Sequence, residues 1–121
     1  FWSSGNRVLI GDALLIMHFS IGSGTRLAFE DAIALDRALA EAGTDVPRAL
    51  AAFERERRPV VEKLFSAASA SSCWYEEFPA RMRRLDALGL AYDYMTRSGR
   101  MSDERLRALA PDFMTRVKKG S

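Results

Sequence analysis

The chain of 121 residues has a formal net charge of +2, with 48% hydrophobic and 28% charged residues, as in one small globular domain or part of a larger protein. Acidic and basic residues are interspersed without a long run of like charge, so nothing indicates binding to nucleic acid or to a membrane. One cysteine and one histidine exclude an internal disulfide, a cysteine zinc cluster and a multi-histidine metal site.

The sequence contains no candidate for a transmembrane or export segment. No apolar run reaches the roughly 18 residues that a transmembrane helix requires, and no signal peptide is visible. A single cysteine also fits a reducing compartment. These features predict a cytoplasmic protein that binds no metal, no membrane and no nucleic acid, with homo-oligomerisation left open.

The first predicted element is a short buried strand over residues 7–10, which ends at Gly11 and Asp12. The apolar segment 13–19 is interpreted as a buried loop or a helical turn. A lone strand is not stable by itself, so we expect its partners outside this sequence and the chain to be part of a larger protein.

An amphipathic helix is predicted next, from Gly24 or Thr25 to the residue before Gly43, which is a good C-cap residue. Its predicted apolar face consists of Ala28, Ala32, Leu35, Leu39 and Ala42. A second helix is predicted from the N-cap candidate Asp45, and Pro59 is expected to kink or divide it. Its predicted apolar face consists of Leu50, Phe53, Val60, Leu64 and Ala68.

Two more helices are predicted in the rest of the chain, over residues 80–99 and 102–113, the second with Ser102 as its N-cap and ended by Pro111. Residues 116–121 are expected to be a frayed tail. The predicted fold class is therefore mainly α in this segment, with one short strand and about four helices.

Two glycine-containing turns carry the chemical signal. Asp12, at the carboxyl end of a strand, would project into the crevice where α/β folds bind ligands, and it can accept hydrogen bonds from ribose-type hydroxyls. Gly22 and Gly24 would let the backbone approach a flat ligand at a helix N-terminus, where free amides and the helix dipole favour negative charge. Spacing alone leaves two interpretations open, a ligand site or two ordinary tight turns.

The segment GDALLIMHFSIGSGTRLAFEDAIAL (11–35) resembles the second FAD fingerprint of the single-component flavoprotein aromatic monooxygenases, the p-hydroxybenzoate hydroxylase family. The matching residues are Gly11, Asp12, Ala13, Gly22, Gly24, Glu30, Asp31 and Ala32. Leu15 and Phe19 depart from the pattern, which usually has histidine and proline there. Together with AFERERRPVVEKL and SSCWYEEF, this segment resembles the salicylyl-CoA and 2-aminobenzoyl-CoA hydroxylases, and more loosely the tryptophan hydroxylase of violacein synthesis.

The resemblance implies a part of an α/β, Rossmann-type FAD-binding fold. Residues 1–43 would be the end of the FAD-binding domain, and residues 44–121 a C-terminal helical region. Asp12 would hydrogen-bond the ribityl chain of FAD, and the backbone around Gly22 would face the pyrimidine edge of the isoalloxazine. The implied cofactor-binding residues are Gly11, Asp12, Ile21, Gly22, Ser23, Gly24 and Thr25. His18, Phe19 and Ser20 would lie near the substrate, and no catalytic side chain is implied.

The implied reaction is hydroxylation of an aromatic substrate, an aryl-CoA thioester within the narrower group. NAD(P)H would reduce FAD, and oxygen would then form a flavin C4a-hydroperoxide.

The chain has no Gly-x-Gly-x-x-Gly motif for the ADP half of FAD. We therefore expect a C-terminal part of the enzyme, inactive alone, whose partner is the rest of its own polypeptide. Two alternatives stay open: a hydroxylase of tryptophan or indole, and a non-catalytic helical binding or oligomerisation module.

Several other side chains have competing interpretations. His18 is either a packed core histidine or a contact to flavin or substrate. Cys73 is expected to be a buried, inert thiol, since no histidine lies near it in the sequence. Arg55, Arg57 and Arg58 are interpreted as a solvated helix face, with contact to an acidic group such as CoA phosphates as the alternative.

Overall fold

The computed structural model describes residues 1–120, which form two compact units, Phe1–Ser66 and residues 67 onward. The elements in chain order are β1 (Ser3–Ser4), β2 (Arg7–Val8), α1 (Gly24–Ala42), α2 (Val46–Glu76), α3 (Phe78–Arg84), α4 (Ala87–Thr96), α5 (Asp103–Leu109) and α6 (Pro111–Gly120). Two short 3-10 turns, Gly11–Ala13 and Phe19–Ile21, lie between β2 and α1. The expected mainly α character is confirmed, although the described residues form two strands and six helices.

The predicted strand has its partner inside the chain. β1 and β2 pair antiparallel, with Ser3 opposite Val8 and Ser4 opposite Arg7. Gly5 has a φ of +60°, a left-handed conformation that glycine adopts without strain, so the chain can reverse within two residues. The expectation that every partner of this strand lies outside the sequence is therefore wrong, and the strand is shorter than predicted.

α1 has the predicted ends, and Gly43 follows it with a φ of +63°. The predicted apolar face is displaced, however: the buried residues are Leu27, Asp31, Ala34 and Ala38. Ala32 is exposed, and Leu39 keeps 38% of its surface accessible. The difference arises because Asp31, a carboxylate, lies in the middle of the buried stripe, and a search for apolar periodicity passes over it.

α2 begins as predicted, with the Asp45 carboxylate accepting the backbone N–H of Arg48 at 3.1 Å. It then continues unbroken through Pro59, so the expected division is wrong. Pro59 has no N–H, so the helix lacks one backbone hydrogen bond there. Core packing compensates for this loss, because Phe53 before the proline and Val61 after it are buried in one cluster. Val61 also replaces the predicted Val60, which is 38% exposed.

The core of the first unit lies between the hairpin, α1 and α2. The Trp2 and Phe53 rings meet edge to face with centroids 5.8 Å apart. The buried cluster consists of Trp2, Leu27, Ala34, Ala38, Ala49, Phe53, Val61 and Leu64. Partly buried residues of the segment between β2 and α1 pack against it: Val8, Ile10, Leu14, Leu15, Met17 and Ile21. This packing holds both glycine-containing turns against the helices, and Leu15, which replaces the usual histidine, takes part in it.

The helix predicted over residues 80–99 is two helices, α3 and α4. Leu85 is extended, and the Asp86 carboxylate accepts the backbone N–H of Gly89 at 2.7 Å, which starts α4. An aspartate that accepts the backbone N–H three residues later is an N-cap. This local hydrogen bond starts a new helix and so divides the single helix that the apolar pattern predicted.

The end of the chain is more regular than expected. Ser102 caps α5 as predicted, accepting the N–H of Arg105 at 3.2 Å. Pro111 begins α6 instead of only ending α5, because proline is well tolerated in a first helical turn. The residues expected to be a frayed tail are therefore helical as far as α6 extends, and Ser121 lies outside the described residues.

Candidate functional site

The Gly-Asp turn is held closely against α1. Gly11 has a φ of +56°, and a Cβ built at this position would lie 3.2 Å from the Cβ of Ala28. Any side chain at position 11 would therefore be strained and crowded. Asp12, the next residue, is exposed, so the turn packs through its glycine and directs its carboxylate-bearing residue to solvent.

The Gly-Ser-Gly turn has the opposite character. An added Cβ at Gly22 or Gly24 would meet no heavy atom within 4 Å, so packing in this chain does not require these glycines. Ser23 between them is buried, and its hydroxyl donates to the Ile21 carbonyl at 3.3 Å instead of capping α1. The first backbone amides of α1 are thus left without a side-chain cap from Ser23, beside open space.

The two turns meet at one small cleft of the first unit, with a volume of about 10 Å³, so a larger ligand would lie across its opening and not inside it. The predicted residues Gly11, Asp12 and Gly24 line it, together with the apolar side chains of Leu14, Leu15, Met17, Leu27 and Val61, and with Asp31. The other predicted cofactor residues, Ile21, Gly22, Ser23 and Thr25, are neighbours of Gly24 along the chain and lie outside this cleft.

His18, Phe19 and Ser20 form the entrance to the second turn. The His18 Nδ1 accepts the Ser20 backbone N–H at 3.3 Å, and the His18 ring stacks on Phe19 with centroids 4.5 Å apart. The His18 ring is half-buried, and Phe19 is 86% exposed. His18 thus caps the Phe19–Ile21 turn and is not a packed core histidine. Phe19 stacks on it with one face and leaves most of its ring exposed to solvent.

A buried ion pair behind the Gly-Asp turn was missed at the sequence level. Asp31 is only 2% exposed, and its Oδ1 accepts Arg57 Nε at 2.8 Å. Its Oδ2 accepts the Gly11 backbone N–H at 3.4 Å. Arg57 also donates from Nη2 to Glu30 Oε2 at 3.0 Å. The sequence carried two signals, the match of Asp31 to the FAD fingerprint and a carboxylate that interrupts an apolar stripe, and neither identified Arg57 as its partner.

Arg57 therefore does not belong to a solvated face, which corrects that interpretation for this residue. Burial by itself lowers the pKa of Arg57, but its hydrogen bonds to Asp31 and Glu30 outweigh burial and raise the pKa above the ordinary arginine value. Arg55 and Arg58 are exposed as expected, and Arg58 pairs with Glu54 along α2.

The second unit contains a separate polar pocket of about 230 Å³. Trp74 is buried beneath it and donates from Nε1 to Asp93 at 2.8 Å, while Arg81 donates to the same carboxylate at 2.6 Å. Cys73 lines this pocket and is exposed, so the expectation of a buried thiol is wrong.

The described part of the chain has neither a cluster of metal-ligating side chains nor a helix that could span a membrane. Residues 1–120 hold no group of three or more histidine, cysteine, aspartate or glutamate side chains arranged to bind a metal ion. None of the helices described in that range combines the length and the apolar composition needed to cross a bilayer.

The residues of the first unit fit a flavin nucleotide. The space beside Gly22 and Gly24 is open, so a ligand can approach the backbone there, and the first amides of α1, which Ser23 does not cap, suit a ring that gains negative charge. The exposed carboxylate of Asp12, on the same cleft, can accept hydrogen bonds from a polyol. The chain could thus hold the ribityl and ring portion of FAD.

Comparison with known proteins agrees with this geometry. Residues 1–68 match the family described as FAD binding domain. The chain is 47% identical over 98 residues to a salicyloyl-CoA 5-hydroxylase from Streptomyces sp. The aligned region covers 80% of this chain and 19% of that protein. It is 46% identical over 105 residues to a 3-hydroxy-4-methyl-anthranilyl-[aryl-carrier protein] 5-monooxygenase from Streptosporangium sibiricum, covering 84% of this chain and 27% of that protein.

The name of a third relative contains neither CoA nor a carrier protein. This relative is the protodeoxyviolaceinate monooxygenase of Chromobacterium violaceum, 44% identical over 79 residues, covering 64% of this chain and 21% of that protein. The chain thus spans only about a fifth to a quarter of the length of these relatives. No solved structure matches it significantly.

Proposed function

This chain belongs to the FAD binding domain family, and from that premise we propose that it is the flavin-contacting segment of a FAD-dependent aromatic monooxygenase. Residues 1–43 would complete the FAD-binding domain, and residues 44–121 would form a C-terminal helical region. The whole protein would use NAD(P)H and oxygen to hydroxylate an aromatic ring, and we expect it in the cytoplasm.

The observation that carries the proposal is the meeting of the two turns. Asp12 and Gly24 line one cleft, although twelve positions separate them in the sequence. The space beside Gly22 and Gly24 is open, so a planar ligand can reach the backbone there. A polyol acceptor beside an uncapped helix N-terminus fits the two chemically different parts of a flavin nucleotide.

FAD, when bound, supplies the activation of oxygen, which side chains cannot provide. The residues of this chain would bind and orient it. Asp12 would accept hydrogen bonds from the ribityl hydroxyls, and the backbone at Ile21, Gly22, Ser23, Gly24 and Thr25 would lie along the pyrimidine edge of the ring. The positive end of α1 would stabilise negative charge there by about 0.3–2 kcal/mol. His18, Phe19 and Ser20 would lie near the substrate.

For the substrate we propose an aromatic acid carried as a thioester. Two of the relatives are named for such substrates, one for a CoA ester and one for an aryl-carrier protein. The exposed ring of Phe19, stacked on His18 in the segment that leads to the Gly-Ser-Gly turn, offers an apolar surface for an aromatic substrate. A free indole-type substrate is the second candidate, which the resemblance to the protodeoxyviolaceinate monooxygenase favours.

The test uses the full-length protein. We would record the flavin absorbance spectrum and follow oxygen-dependent NAD(P)H oxidation with and without salicylyl-CoA, 2-aminobenzoyl-CoA or tryptophan. Bound flavin and stimulation by an aryl-CoA are expected. Stimulation by tryptophan alone would move the substrate to the second candidate. A protein without flavin would contradict the proposal and favour a non-catalytic helical module.

The role of Asp12 has its own variant. Asp12→Ala should weaken FAD binding roughly 10- to 100-fold, because a hydrogen bond to a charged group contributes about 1.5–3 kcal/mol. Asp36→Ala is the matched control, since Asp36 is an exposed aspartate on α1 away from the cleft. Equal FAD dissociation constants for the two variants in a fluorescence titration would remove Asp12 from the binding site.

A further inference from the structure

The buried carboxylate of Asp31 has no counterpart in an ordinary amphipathic helix. It lies between Leu27 and Ala34 on the buried face of α1 and is 2% exposed. An ionised carboxylate loses its hydration when it is buried, and proteins tolerate this only where charge and hydrogen bonds replace the water. The question is therefore which groups replace the water and what they are attached to.

Both oxygens of Asp31 are occupied, and their partners come from different elements. Arg57 of α2 donates to Oδ1 at 2.8 Å, and the Gly11 backbone N–H donates to Oδ2 at 3.4 Å. The guanidinium of Arg57 is itself buried and also donates to Glu30 at 3.0 Å. A helix on one side and the Gly-Asp turn on the other are thus joined through one carboxylate.

We propose that Arg57 and Asp31 are positioning residues for the cofactor, fixing the Gly11 amide and through it the turn from which Asp12 reaches FAD. The inference rests on the proposed function and adds two buried residues to it: Asp31, which lines the cleft from behind, and Arg57, which does not line it. Arg57 orients Asp31, and Asp31 orients the peptide group between Ile10 and Gly11, at the start of the turn that carries Asp12.

Stability alone does not account for this arrangement. Well-packed apolar residues can replace a buried ion pair without loss of stability, so the pair is not needed to join α1 to α2. An apolar pair could not accept the Gly11 N–H, however. Gly11 adopts its left-handed φ without strain, and the nearness of Ala28 leaves little room for a side chain there, so the bond from the Gly11 N–H to Asp31 is a contact that holds this turn through its backbone.

The experiment compares two interhelical arginines in the full-length protein. Arg57→Gln removes the charge that holds Asp31. Arg37→Gln is the matched control, because Arg37 of α1 pairs with Glu56 of α2 but both side chains are exposed and neither contacts the Gly-Asp turn. Arg57→Lys is the conservative variant: it keeps the charge but loses the fork that contacts Asp31 and Glu30 together.

Two readouts separate positioning from general stability. The first is the FAD dissociation constant, which we expect to rise about tenfold or more in Arg57→Gln, several-fold in Arg57→Lys and less than about twofold in Arg37→Gln. The second is amide hydrogen exchange, which should accelerate in a peptide covering residues 7–15 of Arg57→Lys while peptides within α1 and α2 stay protected.

Unchanged FAD affinity and unchanged exchange at residues 7–15 in Arg57→Lys would overturn the inference. Arg57→Lys is decisive if Arg57→Gln does not fold, because it leaves no buried carboxylate without a cation. If the native protein binds no FAD, the proposed function fails instead. Exchange at residues 7–15 still decides in that case whether Arg57 holds the turn.

Discussion

Gly11 is the residue at which backbone conformation and close packing coincide. Its φ of +56° favours glycine for one reason, and the Ala28 Cβ, 3.2 Å from an added Cβ, disfavours a side chain for another. Gly5 has nearly the same φ, +60°, with no heavy atom within 4 Å of an added Cβ. The two glycines therefore allow the effect of strain to be measured separately from the effect of crowding.

Gly11→Ala should destabilise the first unit by about 1–3 kcal/mol, as strained backbone conformations do. Gly5→Ala carries the strain without the contact and should cost less. Urea unfolding of both variants measures the difference. Equal losses would show that Ala28 yields to the added methyl group and that the close approach is not restrictive.

The residues of the two turns could be predicted from the sequence, because their pattern of glycine and aspartate is local. Asp31 and Arg57 could not. Carboxylates and guanidinium groups are almost never fully buried unless paired, and here the pair spans 26 positions between two helices. A single sequence gives no indication that the polar residue in one helix faces the polar residue in the next.

At the scale of the element, the capped helix ends are the best-predicted features. Asp45 and Ser102 cap α2 and α5 as expected, because the capping side chain lies within three residues of the amide that it binds. Pro59 is the contrary case. It predicts a break from local sterics, and core packing on both sides of it keeps α2 continuous.

Pro59→Ala should therefore raise the stability of the protein, by about 1–3 kcal/mol, because the variant restores a backbone N–H to a helix that is already formed. Pro47→Ala is the control, since Pro47 lies in the first turn of the same helix, where amides have no intrahelical partner. Thermal unfolding followed by circular dichroism measures both. A loss of stability in Pro59→Ala would mean that the proline conformation is itself required by the packing.

The boundary between α3 and α4 depends on one capping side chain. Asp86→Ala should lower stability by about 1 kcal/mol, because the Gly89 amide loses its acceptor. Asp86→Asn keeps an oxygen in the same position and should be close to the native protein. If both variants lose the same stability, the charge of Asp86 and not its hydrogen bond starts α4.

At the scale of the molecule, the mainly α composition was predictable from the spacing of apolar residues, and the division into two compact units was not. α2 runs through the division between residues 66 and 67 without a change in helical pattern. A linker rich in glycine or proline is the usual sequence signal of a boundary, and a continuous helix carries none.

The 121-residue chain by itself should bind FAD at least about 100-fold more weakly than the full-length protein, because it lacks a motif for the ADP half of the cofactor. We also expect it to be inactive. Fluorescence titration of flavin against both proteins provides the comparison, with FMN as a ligand that lacks the adenosine portion. Equal affinities for FAD would mean that this chain contains the whole binding site.

The exposed thiol of Cys73 has a practical consequence. It is the sole cysteine among the 121 residues, so a maleimide dye would attach to this segment at one known position. Trp74, the adjacent residue, lies under the polar pocket that Cys73 lines, close enough to quench or excite such a dye. Changes in that pocket could therefore be followed as fluorescence, independently of the flavin signal from the first unit.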